Sequence, residues 1–330
     1  MNRRLFLLAA SAAVTGCAPM VQSAGAPDLG FSGPRLEDET FISFDGGRMG
    51  LKRWLPRGEP TIVVAALHGM NDYSNAFHFA APVWAERGIA TYAYDQRGFG
   101  RSPGRGVWGG EALMTEDLRV FVALLRQRHP AATLVVAGES MGGAVAIAAF
   151  ASDRPPAADR LVLMAPAVWG WSSQPLPFKT ALWFTAHLAG ETVLKPPGWV
   201  TDHVHPSDNH EELVAMGRDP LMIWGARNDT LYGLVDLMQS AWEGTGRIKV
   251  PVGYFYGAND EVIPKVAAFK AASRLKPTDR TAYYARGYHL LTRDRQRAVV
   301  IGDIQSFILD PAAALPSGPP PIPPPLKPRA

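Results

Sequence analysis

Residues 61–67 read Thr-Ile-Val-Val-Ala-Ala-Leu, a run in which everything after the threonine is apolar and no face is left for water. A strand of that composition belongs inside a sheet covered on both faces, as parallel sheets are. The pattern recurs. Ile89 to Tyr94, Thr133 to Ala137, Leu161 to Met164, Val250 to Tyr256 and Arg280 to Tyr284 are further predicted strands, and helical stretches separate them. The clearest helix is Glu111 to Arg128, where Leu118, Phe121, Val122 and Leu125 recur at i, i+3, i+4 and i+7 on one face. Others are predicted from Gly142 to Ala151, near Val266 to Leu275, and in a last stretch ending at Leu309. Thr40 to Phe44 and Met49 to Leu55 flank Asp45-Gly46-Gly47 and are predicted as a hairpin. Strand alternating with helix predicts an α/β fold, a mostly parallel central sheet with helices on both faces. Ligands on such sheets gather at the carboxyl ends of the strands.

One stretch departs from this alternation. Residues 166–227 hold Trp169, Trp171, Trp183, Trp199 and Trp224, five of the chain's nine tryptophans, together with Pro175, Pro177, Pro196 and Pro197. Prolines interrupt regular elements, and we expect here a lid inserted into a core made of residues 36–165 and 228–310.

The two ends differ again from the body. Arg3 and Arg4 begin the chain, Leu5 to Val14 is apolar, and Val14-Thr15-Gly16-Cys17 follows, carrying the only cysteine. This ten-residue stretch, apolar but for Ser11, is too short for a spanning helix, which needs about 20, but suits the core of a signal peptide. The run resembles a bacterial lipoprotein signal, which implies removal of residues 1–16 and lipidation of Cys17. Asn2-Arg3-Arg4-Leu5-Phe6 also resembles a twin-arginine export signal, so both export routes stay open. Ala18 after the cysteine resembles lipoproteins sorted to the outer membrane, which implies a lipid-anchored protein of the bacterial envelope facing the periplasm. Residues 17–35, rich in Ala, Gly, Pro and Ser, are expected to be a flexible tether. Residues 311–330, with two Pro-Pro-Pro runs, are expected to be a disordered extended tail, with the alternative of a ligand for a protein partner.

Charge excludes one class of partner. Of the net +3, Arg3 and Arg4 at one end and Lys327 and Arg329 at the other supply four positive charges, so the remainder of the chain sums to −1. A body so close to neutral offers no nucleic-acid footprint.

The chemistry concentrates in Gly138-Glu139-Ser140-Met141-Gly142, a G-x-S-x-G between an apolar strand and an alanine-rich helix. That context forces a sharp turn which lifts a serine hydroxyl above the sheet and tolerates only small neighbours. A serine needs a base to become a nucleophile, and the base needs a carboxylate to hold its tautomer. Asp260, in Gly257-Ala258-Asn259-Asp260, follows one predicted strand, and His289, in Tyr288-His289, follows the next. Asp229 competes with Asp260 but precedes a helical segment. Glu261 is a neighbour easily mistaken for the acid. Backbone N–H groups of Met141 and of Met70, in His68-Gly69-Met70 after the first apolar strand, are the candidate oxyanion donors. His68 is expected to hold that loop, while His78, His129 and His187 fit helix surfaces or ends.

With His68-Gly69, Asp95-Gln96-Arg97-Gly98-Phe99-Gly100 and the turn at residues 138–143 in this order, the chain resembles the α/β-hydrolase superfamily, and within it the monoacylglycerol lipase and lysophospholipase group. The resemblance implies an acyl-enzyme mechanism on a lipophilic ester, a monoacylglycerol or lysophospholipid, with no metal or organic cofactor. Three alternatives come from other classes: an aminopeptidase on the same fold, a metal site at His203, His205, Asp208 and His210, and a non-catalytic envelope lipoprotein acting as a binding module.

Overall fold

The computed structural model describes residues 18–195, Gly198 and 204–325. The signal segment and Cys17 lie outside these residues, as do Pro196, Pro197, Trp199 and His203 of the expected lid.

The chain enters through β1 (Arg35–Leu36), β2 (Thr40–Ile42) and β3 (Arg48–Trp54), an antiparallel set containing the expected hairpin. Then come β4 (Ile62–Leu67), α1 (Ala80–Ala85), β5 (Ile89–Tyr94), α2 (Glu111–Arg128), β6 (Thr133–Glu139), α3 (Met141–Phe150) and β7 (Arg160–Met164). The lid region contributes α4 (Leu176–Leu188), β8 (Val193–Leu194), α5 (His210–Arg218) and β9 (Ala226–Arg227). The core resumes with α6 (Asn228–Gly244), β10 (Val252–Gly257), α7 (Lys265–Ala272), β11 (Arg280–Tyr284) and α8 (Arg297–Leu309). The large sheet has the order β1-β2-β3-β5-β4-β6-β7-β10-β11, parallel from β5 onward. β8 and β9 form a separate antiparallel pair.

Alternation along each central strand splits its side chains between two cores. Val63, Ala65 and Leu67 of β4 join Leu118 and Phe121 of α2, Val145 of α3 and Leu237 of α6. Ile62, Val64 and Ala66 join Trp84 of α1 and Phe307 of α8 on the opposite face. Both faces are therefore dry, and an unbroken apolar strand is the sequence consequence. Each fully buried large side chain contributes about 1.5–3 kcal/mol.

Two expected loose segments are packed down. In place of a flexible tether, Gln22 donates from its backbone to Trp108 O at 2.8 Å and from Nε2 to Val107 O at 2.8 Å, and Gly25 N donates to Asp45 Oδ2 at 2.7 Å. In place of a disordered tail, residues 311–325 run back along the edge of the sheet. Tyr283 N donates to Pro320 O at 2.8 Å, Ile322 N to Thr281 Oγ1 at 3.1 Å, and Ser317 N to Asp303 Oδ1 at 2.9 Å. The pairings of residue 283 with 320 and 281 with 322 run antiparallel. The physical reason is the edge itself: β11 presents unpaired backbone groups, and proline carbonyls can accept from them. Because prolines donate nothing, the covered edge offers no further strand a place to pair.

A chain ending at Asp310 should therefore expose the β11 edge and the side chain of Ile322's socket. Scanning calorimetry should show a melting temperature lowered by several degrees, the effect of roughly 2–4 kcal/mol of lost burial and hydrogen bonding. Light scattering should show self-association. Unchanged melting would mean that the tail contact is idle.

Candidate active site

Ser140 sits between β6 and α3 with φ 50° and ψ −115°, a left-handed conformation rare outside glycine. Its backbone is gripped on three sides: Ser140 N donates to Met164 O at 3.0 Å, and Ser140 O accepts from Ala144 N at 3.1 Å and from Ala167 N at 2.9 Å. The glycines are steric necessities. A Cβ on Gly142 would stand 2.3 Å from Leu67 O, and one on Gly138 would stand 2.5 Å from Gly142 O. Small residues thus let the nucleophile turn press against the end of β4.

The loop after β4 meets the same turn, since a Cβ on Gly69 would lie 3.3 Å from the Ser140 Cβ. His68 holds this loop. Gln96 N donates to His68 Nε2 at 2.8 Å, so Nδ1 carries the proton and donates to Gly69 O at 2.7 Å. Burial keeps the His68 ring below its ordinary pKa and therefore neutral. Met70 leaves this loop, and Met141 is the first residue of α3, where helical N–H groups lack intrahelical acceptors.

Asp260 lies in the loop after β10 and His289 in the loop after β11, both almost fully buried. Gly257 brings the loops together, because a Cβ there would strike Gly287 O at 2.4 Å; Asn259 N also donates to Gly287 O at 2.8 Å. His289 Nδ1 donates to Asp260 Oδ2 at 2.9 Å, while Asp260 Oδ1 accepts from Val262 N at 2.8 Å and Ile263 N at 2.9 Å. With its proton on Nδ1, the neutral imidazole presents Nε2 as an acceptor. Burial disfavours the imidazolium, but the Asp260 carboxylate overrides it and raises the His289 pKa above the ordinary value.

The competitors are occupied elsewhere. Asp229 is bound by Arg227 Nη2 at 2.6 Å, and Glu261 accepts from His205 N at 2.9 Å. His78 accompanies Asn75 O, His129 the Tyr92 hydroxyl, and His187 the Trp183 carbonyl. Asp208 accepts from Arg295 N at 2.8 Å, and no cluster of three metal-ligating side chains occurs among the described residues.

Sequence reasoning missed a buried ion cluster beneath the site. Arg293, four residues after His289 and 2% exposed, donates from Nη1 to Asp72 Oδ2 at 2.7 Å and from Nη2 to Glu139 Oε1. One guanidinium thus ties the histidine loop to the residue before Ser140 and to the loop carrying Met70. The signal was Glu139 itself, a carboxylate closing an otherwise apolar buried strand, which demands a cation. Lid residues reinforce the histidine loop: Leu290 N donates to Pro206 O at 2.8 Å, Ser207 Oγ to Asp294 Oδ1 at 2.7 Å, and Asn209 Nδ2 to Arg293 O at 2.9 Å.

Comparison with known proteins gives the family and the fold. The Hydrolase_4 family model, described as serine aminopeptidase S33, matches residues 58–296. A monoacylglycerol lipase of Mycolicibacterium smegmatis is 26% identical over 82% of this chain and 96% of its own. The human monoglyceride lipase is 25% identical over 77% of this chain and 83% of its own. Among solved structures, a soluble variant of the Saccharomyces cerevisiae monoglyceride lipase in complex with a substrate analog superposes with a TM-score of 0.68 at 17% identity, covering 87% of this chain and 98% of that one. The Paleococcus ferrophilus monoacylglycerol lipase gives 0.65 at 20% identity, covering 79% and 98%. These two share the fold.

Two substitutions should move the pH profile in opposite directions. Turnover by a base of raised pKa should rise with pH through a midpoint above about 6.5. In Asp260→Asn, burial is opposed only by the more distant Glu139 charge, so the midpoint should fall while kcat drops about 10⁴-fold. In Arg293→Met, the cation that opposes the imidazolium is gone, so the midpoint should rise; thermal unfolding should show a loss of about 3–5 kcal/mol from stranding Glu139 and Asp72. Stopped-flow or steady-state pH profiles read both, and shifts of the same sign would contradict the electrostatics.

Proposed function

The chain belongs to the serine aminopeptidase S33 family, and on that premise we propose that this serine ester hydrolase uses Ser140, His289 and Asp260 to cleave monoacylglycerols or closely related single-chain lipid esters. The observation that carries the proposal is the buried Asp260–His289 pair, whose tautomer leaves Nε2 free to take the proton of Ser140. Ser140 Oγ attacks the ester carbonyl carbon as His289 Nε2 removes the hydroxyl proton, and the C=O electron pair moves onto oxygen. The Met70 and Met141 N–H groups receive that oxyanion, a single such donor being worth about 2.7–4 kcal/mol. Collapse breaks the bond to the glycerol oxygen, which takes the proton from the imidazolium. Water then repeats the sequence on the acyl-serine and releases the fatty acid. Asp260 stabilises each transient imidazolium without accepting its proton. Every part is supplied by the chain's own side chains and backbone.

The lipid substrate is supported by the names of the relatives and by the lid. Leu176, Phe178, Trp183, Phe184 and Leu188 of α4 all stand exposed, an apolar surface suited to acyl chains. Lipidation at Cys17, removal of residues 1–16 and an envelope location on the outer membrane's periplasmic face are part of the same proposal, motivated by the sequence of the amino-terminal segment. No helix among the described residues is long and apolar enough to cross a membrane.

A fluorophosphonate probe should label the protein at Ser140 and fail to label Ser140→Ala. A panel of 1-monooleoylglycerol, lysophosphatidylcholine, butyryl esters and aminoacyl amides should give its highest kcat/KM with the long-chain glycerol ester. Faster cleavage of aminoacyl amides would replace the lipid substrate with a peptide, and faster cleavage of butyryl esters would remove the acyl groove.

A further inference from the structure

The amino-terminal segment does more than connect. Gly104 and Gly110 both have positive φ, and a Cβ on either would collide with it, Gly104 with Gln22 Cδ at 2.5 Å and Gly110 with Val21 Cγ1 at 2.7 Å. Gln22 is held by three hydrogen bonds to residues 104–108. Just before it, Met20 Sδ accepts from Arg227 Nη2 at 3.6 Å, and Arg227 belongs to β9 of the lid's two-stranded sheet. The strap therefore ends against the lid.

Beside the ion pairs that Arg227 makes with Glu191 and Asp229, that end carries uncovered apolar side chains. Met20, Val21, Leu188, Val193, Leu194 and Trp224 are between 45% and 75% exposed. Val193 is the register partner of Arg227, and Leu194 that of Ala226, so the apolar pair stands on the strand next to the one Met20 touches. Two residues, Ala18 and Pro19, lie between Cys17 and Met20, so the two are at most about 10 Å of chain apart. A free tether of the length expected from sequence would instead wander over about 24 Å. An anchor on Cys17 would therefore enter a bilayer within about 10 Å of Met20.

We propose that the β8–β9 sheet and Trp224 rest on the lipid bilayer, and that the docked strap holds them there by delivering the Cys17 anchor to that face. Apolar area withdrawn from water at the interface contributes about 25 cal/mol per Å², which adds orientation to an attachment the acyl chains already secure. The lid then takes its single-chain substrate from the surface on which it sits. This orientation rests on the anchor proposed above.

The chain's chemistry makes the test clean, because Cys17 is the only cysteine and acylation blocks its thiol. Leu194→Cys and Leu55→Cys, each labelled with an environment-sensitive fluorophore, would be reconstituted as full acylated protein into phosphatidylethanolamine–phosphatidylglycerol vesicles. Leu55 is the right control: it is 53% exposed and follows Trp54, which pairs with Thr91 near the start of β5, at the opposite end of the parallel strands from Ser140. A quencher on the lipid acyl chains should quench the label at position 194 at least threefold more than the label at 55. Equal quenching, or stronger quenching at 55, on protein whose intact mass shows acylation overturns the orientation alone. An intact mass showing unmodified Cys17 overturns the anchor and the orientation with it.

Discussion

The whole site depends on a backbone that no ordinary residue adopts willingly. A left-handed serine costs of order 1–3 kcal/mol and persists only where its surroundings over-determine it. Here they do. The hydrogen bonds of Ser140 to Met164, Ala144 and Ala167 tie the turn to β7, α3 and the segment that opens the lid region. Gly142 seats α3 against the last carbonyl of β4. The same close packing that forces the strain also brings Gly69 and its loop into contact with the serine, so the proposed nucleophile and oxyanion donors share one constraint.

Electrostatics complete what sterics begin. Within this dry region stand Asp72, Glu139 and Asp260 as acids and Arg293 as the base's counterweight, with His289 among them. Burial and Arg293 push the His289 pKa down while Asp260 and Glu139 push it up, and the balance falls above the ordinary value. Arg293 is a positioning residue in this sense, since it acts on the base and on two loops without being aimed at the reacting atoms.

Much of this was legible in the residues. Unbroken apolar strands announced a doubly covered sheet, helical spacing announced α2 to the residue, and the G-x-S-x-G turn located Ser140 because local stereochemistry admits few other sequences there. Asp260 and His289 were readable from their places after consecutive strands. Arg293 was not, since Arg293-Asp294-Arg295 reads as a solvated charge run and only the fold reveals that its first member faces inward. The strap and tail were misread for a related reason. Proline, glycine and small residues signal an absence of self-made structure, which is not an absence of docking when the rest of the fold offers an edge or a groove. Pro320 accepts from Tyr283 because β11 has a free donor, a fact about β11's position in the sheet and about nothing in the tail.

The lid shows how these levels join. Its residues 206–209 hold the histidine loop from one side, through Pro206 O and the Ser207 and Asn209 side chains, while β9 meets the strap through Arg227. Any displacement of residues 206–209 must therefore disturb the carbonyl that receives Leu290 N, one residue from the His289 imidazole. An insertion of this kind cannot be a detachable cover. Residues 206–209 form a wall of the Asp260–His289 pair, fixed to its loop by backbone and side-chain hydrogen bonds.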